Sequence, residues 1–154
     1  MAEALRQPVA EIEPTLIGVF GVVLEALPGG ALWWDSERML AVADLHLEKG
    51  SAFAKRGEFI PPYDTAETLQ RLSGLIARFD PRVVVALGDS FHDNDGALRL
   101  LPRDRLMLSA LQVRREWIWV AGNHDPDPPA GLTGTHLDSL VRTAQLVAEY
   151  LRAD

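Results

Sequence analysis

Hydrophobic positions along this chain switch between two periods. Residues 16–24 are rich in Val and Ile and read as a strand. Pro28-Gly29-Gly30 turns the chain into a second strand at 31–34, and a third short apolar run over 38–43 ends at Asp44. The pattern then becomes helical. Asp64 is placed to cap a helix with Glu67 as its capping-box partner. Leu69, Leu72, Leu75, Ile76 and Phe79 follow at helical spacing until Asp80-Pro81 stops them. Residues 82–87 (RVVVAL) form the kind of β-branched run found in strands buried on both faces.

The spacing predicts a second helix over 103–114, after Pro102, with Leu106, Leu108, Leu111 and Val113 as its apolar set. A strand follows at 117–120, and then a loop over 125–131 containing three prolines. Residues 136–151 read as a closing amphipathic helix that carries Leu137, Leu140, Val141, Ala144, Val147, Ala148 and Leu151 on one face. Alternating strands and helices imply an α/β fold with parallel strands and right-handed crossovers. Residues 1–14 are polar and read as a flexible N-terminus, and 15–154 as a single domain without repeats or linker.

Composition narrows the chemistry. The chain has 154 residues, 47% hydrophobic and 24% charged, the balance of one globular domain with a core of its own. With no cysteine, disulfides, thiolate metal sites and a cysteine nucleophile are all excluded, so any metal must be held by oxygen and imidazole. The net charge of −7 argues against a dedicated nucleic-acid binder, although it leaves room for a local basic patch. Glu3, Glu11 and Glu13 stand where a signal peptide would be positive, and no apolar run approaches a membrane-spanning length. The expected location is the cytoplasm, with no membrane partner.

Open α/β sheets bind ligands beyond the carboxyl ends of their strands. Three predicted strands end there in polar clusters: Asp44-Leu45-His46, then Gly88-Asp89-Ser90-Phe91-His92-Asp93, then Gly122-Asn123-His124-Asp125. Three of the four histidines fall in these clusters. Carboxylate, imidazole and amide oxygen suit manganese, iron or zinc, and a carboxylate such as Asp89 can bridge two ions. Two such ions can activate water and clamp the attacking and leaving oxygens of a phosphoester. The glycines before Asp89 and Asn123 are expected to let the backbone turn sharply into the site.

An Asp-x-His triplet or a Gly-Asp pair alone is equally the mark of a helix cap or an ordinary turn. Gly-Asn-His-Asp is far more specific, expected by chance in roughly one chain in a thousand. Lys49, Lys55 and Arg56 follow the first cluster in a predicted loop. They read either as phosphate contacts beside the metals or as a solvated charged segment. Trp33, Trp34, Trp117 and Trp119 lie on strands and read as sheet packing rather than base stacking.

In this order, D-x-H, G-D and G-N-H-D resemble the calcineurin-like metallophosphoesterase superfamily over about residues 16–137. DLHLEKGSAFAKRGEFIPPYDTAETLQRL, LGDSFHD and WIWVAGNHDPDP are more narrowly similar to the bacterial ligase-associated DNA-damage-response endonucleases. The resemblance implies a β-sandwich flanked by helices and a two-metal centre. Manganese is the first choice of ion, with iron, zinc or magnesium as alternatives.

It further implies that Asp44 and His46 bind the first metal, that Asp89 bridges both, and that Asn123 binds the second. His124 sits by the leaving group, and a metal-bound hydroxide attacks phosphorus in line. His92, Asp93 and Asp125 would stand behind these ligands. The implied function is phosphodiester hydrolysis in DNA or another nucleic acid, and the implied partners are a DNA ligase or helicase of a repair system.

The superfamily continues after Gly-Asn-His-Asp with further strands, another ligand His and a Gly-His-x-His motif. This sequence shows none of them, since only His136 remains, read as the start of the last helix. The expectation is therefore a C-terminally truncated fold with a weakened second metal site and an uncovered sheet edge that an oligomer could cover. Three explanations compete: a shortened version of an active enzyme, a site completed by a partner, and a catalytically impaired remnant acting as an interaction module. A small-molecule phosphomonoesterase is the other enzymatic alternative.

Overall fold

The computed structural model describes residues 13–19, 21–58 and 63–138. Their strands are Thr15–Val19 (β1), Val22–Leu27 (β2), Ala31–Trp34 (β3), Met39–Val42 (β4), Val83–Ala86 (β5), Glu116–Val120 (β6) and Thr135–Leu137 (β7). The helices are Lys49–Ala54 (α1), Asp64–Phe79 (α2), Gly96–Arg99 (α3) and Pro102–Gln112 (α4). The strands form one seven-stranded sheet in chain order, antiparallel from β1 to β4 and parallel from β4 to β7. The α/β fold with flanking helices is as expected. The described residues form a single sheet, however, and not two facing ones.

Side chains of successive strand residues point to opposite faces, and the three central strands fill both. Leu40, Val42, Val84, Ala86, Trp117 and Trp119 pack with Leu69, Leu72 and Ile76 of α2 and Leu108 and Leu111 of α4. Their neighbours Met39, Val83, Val85, Ile118 and Val120 build a second cluster with Leu137. Burial on both faces is why RVVVAL carries no polar alternation. Trp33, Trp117 and Trp119 are buried in the first cluster, while Trp34 packs against the second.

Several elements differ from the sequence reading. The run over 16–24 is a hairpin rather than one strand: Val19 pairs with Val22, and Gly21 turns the chain at φ 82°. Segment 49–54, expected as loop, is the short helix α1, and α3 was not anticipated. Asp64 does not cap α2, whose N-cap is Tyr63 with no side-chain hydrogen bond. Its carboxylate instead accepts the Gly50 N–H at 3.2 Å, at the start of α1.

The inner stripe of α4 is Asp104, Leu108, Leu111 and Gln112, whereas Leu106 and Val113 are 72% and 58% exposed. Gln112 earns that place by exchanging hydrogen bonds with Thr133, at 2.8 Å to its carbonyl and 3.2 Å from its hydroxyl. His136 lies on β7, paired with Trp119, and does not begin a helix. A three-residue strand is too short to show its alternation, so the helical pattern was read through it. The remainder of the expected closing helix and residues 1–12 of the N-terminal segment lie outside the described residues. No helix of the described residues is long and apolar enough to cross a membrane.

Candidate metal centre

The parallel pairing of β4 with β5 does not stop where the strands end. The Asp44 N–H donates to the Gly88 carbonyl at 3.2 Å, His46 to Asp89 at 2.9 Å and Leu47 to Ser90 at 2.9 Å, and His92 N–H returns to Leu47 at 2.9 Å. The first two clusters therefore run side by side, zipped by backbone hydrogen bonds. The third is pressed against the second at Gly122. A Cβ there would lie 2.2 Å from both the backbone nitrogen and Oδ1 of Asp89, and 2.7 Å from Oδ1 of Asp125. Gly88 makes the sharp turn expected of both glycines, at φ 102°, whereas Gly122 is required for close approach.

Asp44, His46 and Asp89 each offer a ligand atom, and these atoms lie within 4.8 Å of one another. All three residues sit in the left-handed region, at φ 52°, 44° and 49°. Each such conformation costs about 1–3 kcal/mol in a residue other than glycine, and clustering of that strain marks functional sites. His46 Nδ1 is buried without a hydrogen-bond partner. A histidine with an unpartnered ring nitrogen, grouped with two carboxylates, is a donor set suited to a divalent cation, so the residues present fit a metal. Asn123 is exposed between two residues that touch Asp89: Gly122, and His124, whose N–H donates to Asp89 Oδ1 at 2.9 Å.

The rings of His46, His92 and His124 converge, with centroids 5.3–5.9 Å apart, and His92 stacks on His124 at 24°. Burial, helped by its neighbours His124 and His46, pulls the His92 pKa below its ordinary value. Its Nδ1 is also buried and unpartnered. Asp125 is buried and ties the loops together, accepting Phe91 N–H at 3.0 Å and Gly122 N–H at 3.1 Å. Burial raises its pKa against the lowering effect of those hydrogen bonds. Asn94 and Asp127 exchange hydrogen bonds of 2.9 and 3.1 Å, pinning the third loop to the second from outside.

Asp93 faces Arg99, which grips both its oxygens at 2.8 and 3.0 Å. Burial disfavours the Asp93 carboxylate, but the hydrogen bonds and charge of Arg99 outweigh it and hold the pKa below the ordinary value. Arg99 also donates to Ser51 Oγ at 2.8 Å and to the Glu48 carbonyl at 3.3 Å. The Glu48 side chain is buried, which raises its pKa, and accepts from Ser51 at 2.6 Å and Thr65 at 3.3 Å. This network fastens the loop behind His46 to α1, α2 and α3. The sequence reading gave none of Arg99, Glu48, Ser51 and Thr65 a role, although the last three lie within the stretch that carries the narrower resemblance. Lys49, Lys55 and Arg56 are exposed on α1 and the turn after it, with the Arg56 guanidinium 5.9 Å from the centroid of the Phe53 ring.

The family model described as calcineurin-like phosphoesterase matches residues 37–150. No curated protein matches the chain. Among solved structures, the crystal structure of Pseudomonas putida nuclease MPE is similar at 30% identity and a TM-score of 0.61. The match covers 81% of this chain and 60% of that one.

Proposed function

Because this chain belongs to the calcineurin-like phosphoesterase family, we propose that it hydrolyses phosphodiester bonds of nucleic acid at a divalent-metal centre built on Asp44, His46 and Asp89. The observation that carries this reading is the convergence of those three donor atoms within 4.8 Å, on backbone held in a strained conformation. The nuclease whose structure resembles this one favours a diester substrate. Asp44, His46 and Asp89 would hold the ion, with manganese the first choice, and Asn123 would add a donor for a second ion beside Asp89.

Bound divalent ions supply Lewis acidity, which activates water and offsets charge on the phosphoryl oxygens. The chain does the remainder. The His124 N–H fixes Oδ1 of Asp89, which orients that carboxylate and leaves the His124 imidazole to serve the substrate. In this reading the ring, stacked on His92, gives a proton to the departing oxygen. Lys49, Lys55 and Arg56 add positive charge beside the cluster and draw phosphate toward it.

Purified protein with Mn²⁺ is expected to hydrolyse bis(4-nitrophenyl) phosphate faster than 4-nitrophenyl phosphate. Asp89→Ala should lower kcat by about a hundredfold or more. Absence of hydrolysis of both esters across Mn²⁺, Fe²⁺, Zn²⁺ and Mg²⁺ sinks the proposal, and a preference for the monoester replaces the diester reading with a phosphomonoesterase.

A further inference from the structure

On one flank the donor cluster gives onto a cleft of ≈ 480 Å³, large enough for a nucleotide. Asp44 lines this cleft and also belongs to the cluster, so the two adjoin at that residue. One wall is the turn at Gly29 and Gly30 and the other is α2. Thr68, Arg71, Leu75 and Arg78 reach the cleft from α2 at steps of three and four residues, which place them on one face of the helix. Leu72 and Leu75, with Ala31 and Val42 of the sheet, give the cleft an apolar floor.

Arg71 and Arg78 are exposed, and neither has an ion-pair partner among the described residues. Glu67, one turn before Arg71, makes no ion pair with it. The Arg78 guanidinium lies 5.1 Å from the centroid of the Phe79 ring. Seven residues apart, the two arginines are separated by about 10.5 Å along the helix axis. In a chain of net charge −7, two guanidinium groups at one cleft, neither with an ion-pair partner among the described residues, match an anionic ligand.

We propose that this cleft is a subsite for the strand flanking the scissile bond, with Arg71 and Arg78 holding phosphates of its backbone and the apolar floor receiving sugar or base. The inference rests on the phosphodiester reading above and deepens it by giving the strand a path: past the metal centre and over α2. With Lys49, Lys55 and Arg56 grouped at α1, the strand has cations at two places along its path.

The test compares Arg71→Gln/Arg78→Gln with wild type on bis(4-nitrophenyl) phosphate and on a fluorescein-labelled single-stranded 12-mer, both with Mn²⁺. The small diester carries no flanking phosphate for Arg71 and Arg78 to hold, so the ratio of kcat/KM for the oligonucleotide to that for the diester should fall about tenfold or more for two lost charge-assisted contacts. The loss should lie mainly in KM. The log–log salt dependence of oligonucleotide binding should become shallower by about 1.4. The control pair Arg103→Gln/Arg114→Gln removes the same charge outside the cleft.

Equal ratios and salt slopes in wild type and variant overturn the subsite, as does a control pair that moves both quantities equally. If wild type cleaves neither substrate, the phosphoesterase reading falls on its own. Fluorescence anisotropy of the 12-mer then decides the subsite, and equal affinity and salt slope in wild type and variant overturn it.

Discussion

At the scale of single residues, the site depends on positions where the backbone does something a side chain resists. Asp44, His46 and Asp89 are non-glycine residues held at positive φ, and Gly122 leaves no room for a Cβ against Asp89. Gly122→Ala must separate the second and third loops, because the obstructing atoms include the Asp89 backbone nitrogen and not merely a mobile side chain. We expect Mn²⁺ affinity, measured by isothermal titration calorimetry, to fall about 10–100-fold. Unchanged affinity would show that the contact between the loops does not position Asp89. The residue types of the candidate site were legible in the sequence because aspartate and histidine at strand ends are chemically conspicuous. The reason for Gly122 was not, since a contact between residues 33 positions apart leaves no local pattern.

At the scale of elements, the sheet was legible and the short helices were not. RVVVAL announces a central strand through its composition, and α2 through five apolar residues in phase. Segment 49–54 has no apolar period of its own. It is helical because Asp64 accepts the Gly50 N–H and Ser51 bonds back to Glu48, and tertiary partners of this kind cannot be seen along a single stretch. Arg99 closes the same network through Asp93, with a side chain 16% exposed facing one 40% exposed.

The Asp93 pKa is depressed in the folded state. Its ion pair therefore contributes stability above the ordinary carboxylate pKa, about 3.9, and that contribution is lost as pH falls through the lower folded value. Arg99→Met should cost about 1–2 kcal/mol at pH 7, allowing for the partial exposure of the pair. It should also flatten the acid limb of stability, followed by urea unfolding between pH 3 and pH 7. Parallel pH profiles for wild type and Arg99→Met would place the acid sensitivity elsewhere.

At the scale of the whole molecule, four parallel strands bring the carboxyl ends of β4, β5 and β6 together, so three clusters separated by tens of residues become neighbours. The alternation of elements predicted this, and it is the reason the site could be read in advance. What it could not predict is how complete the ligand sets are. In the proposed two-ion reading the first position would have Asp44, His46 and Asp89, whose donor atoms converge, whereas the second would share Asp89 and add the exposed Asn123. Ligand number and charge both favour the first position. A Mn²⁺ titration is therefore expected to show one site at least about tenfold tighter than any second. Asp44→Ala should abolish the tight site, whereas Asn123→Ala should weaken only the loose one. Two equally tight sites, or a tight site that survives Asp44→Ala, would mean that cations gather on a different set of residues, with His92 and His124 the first to test because their rings already face His46.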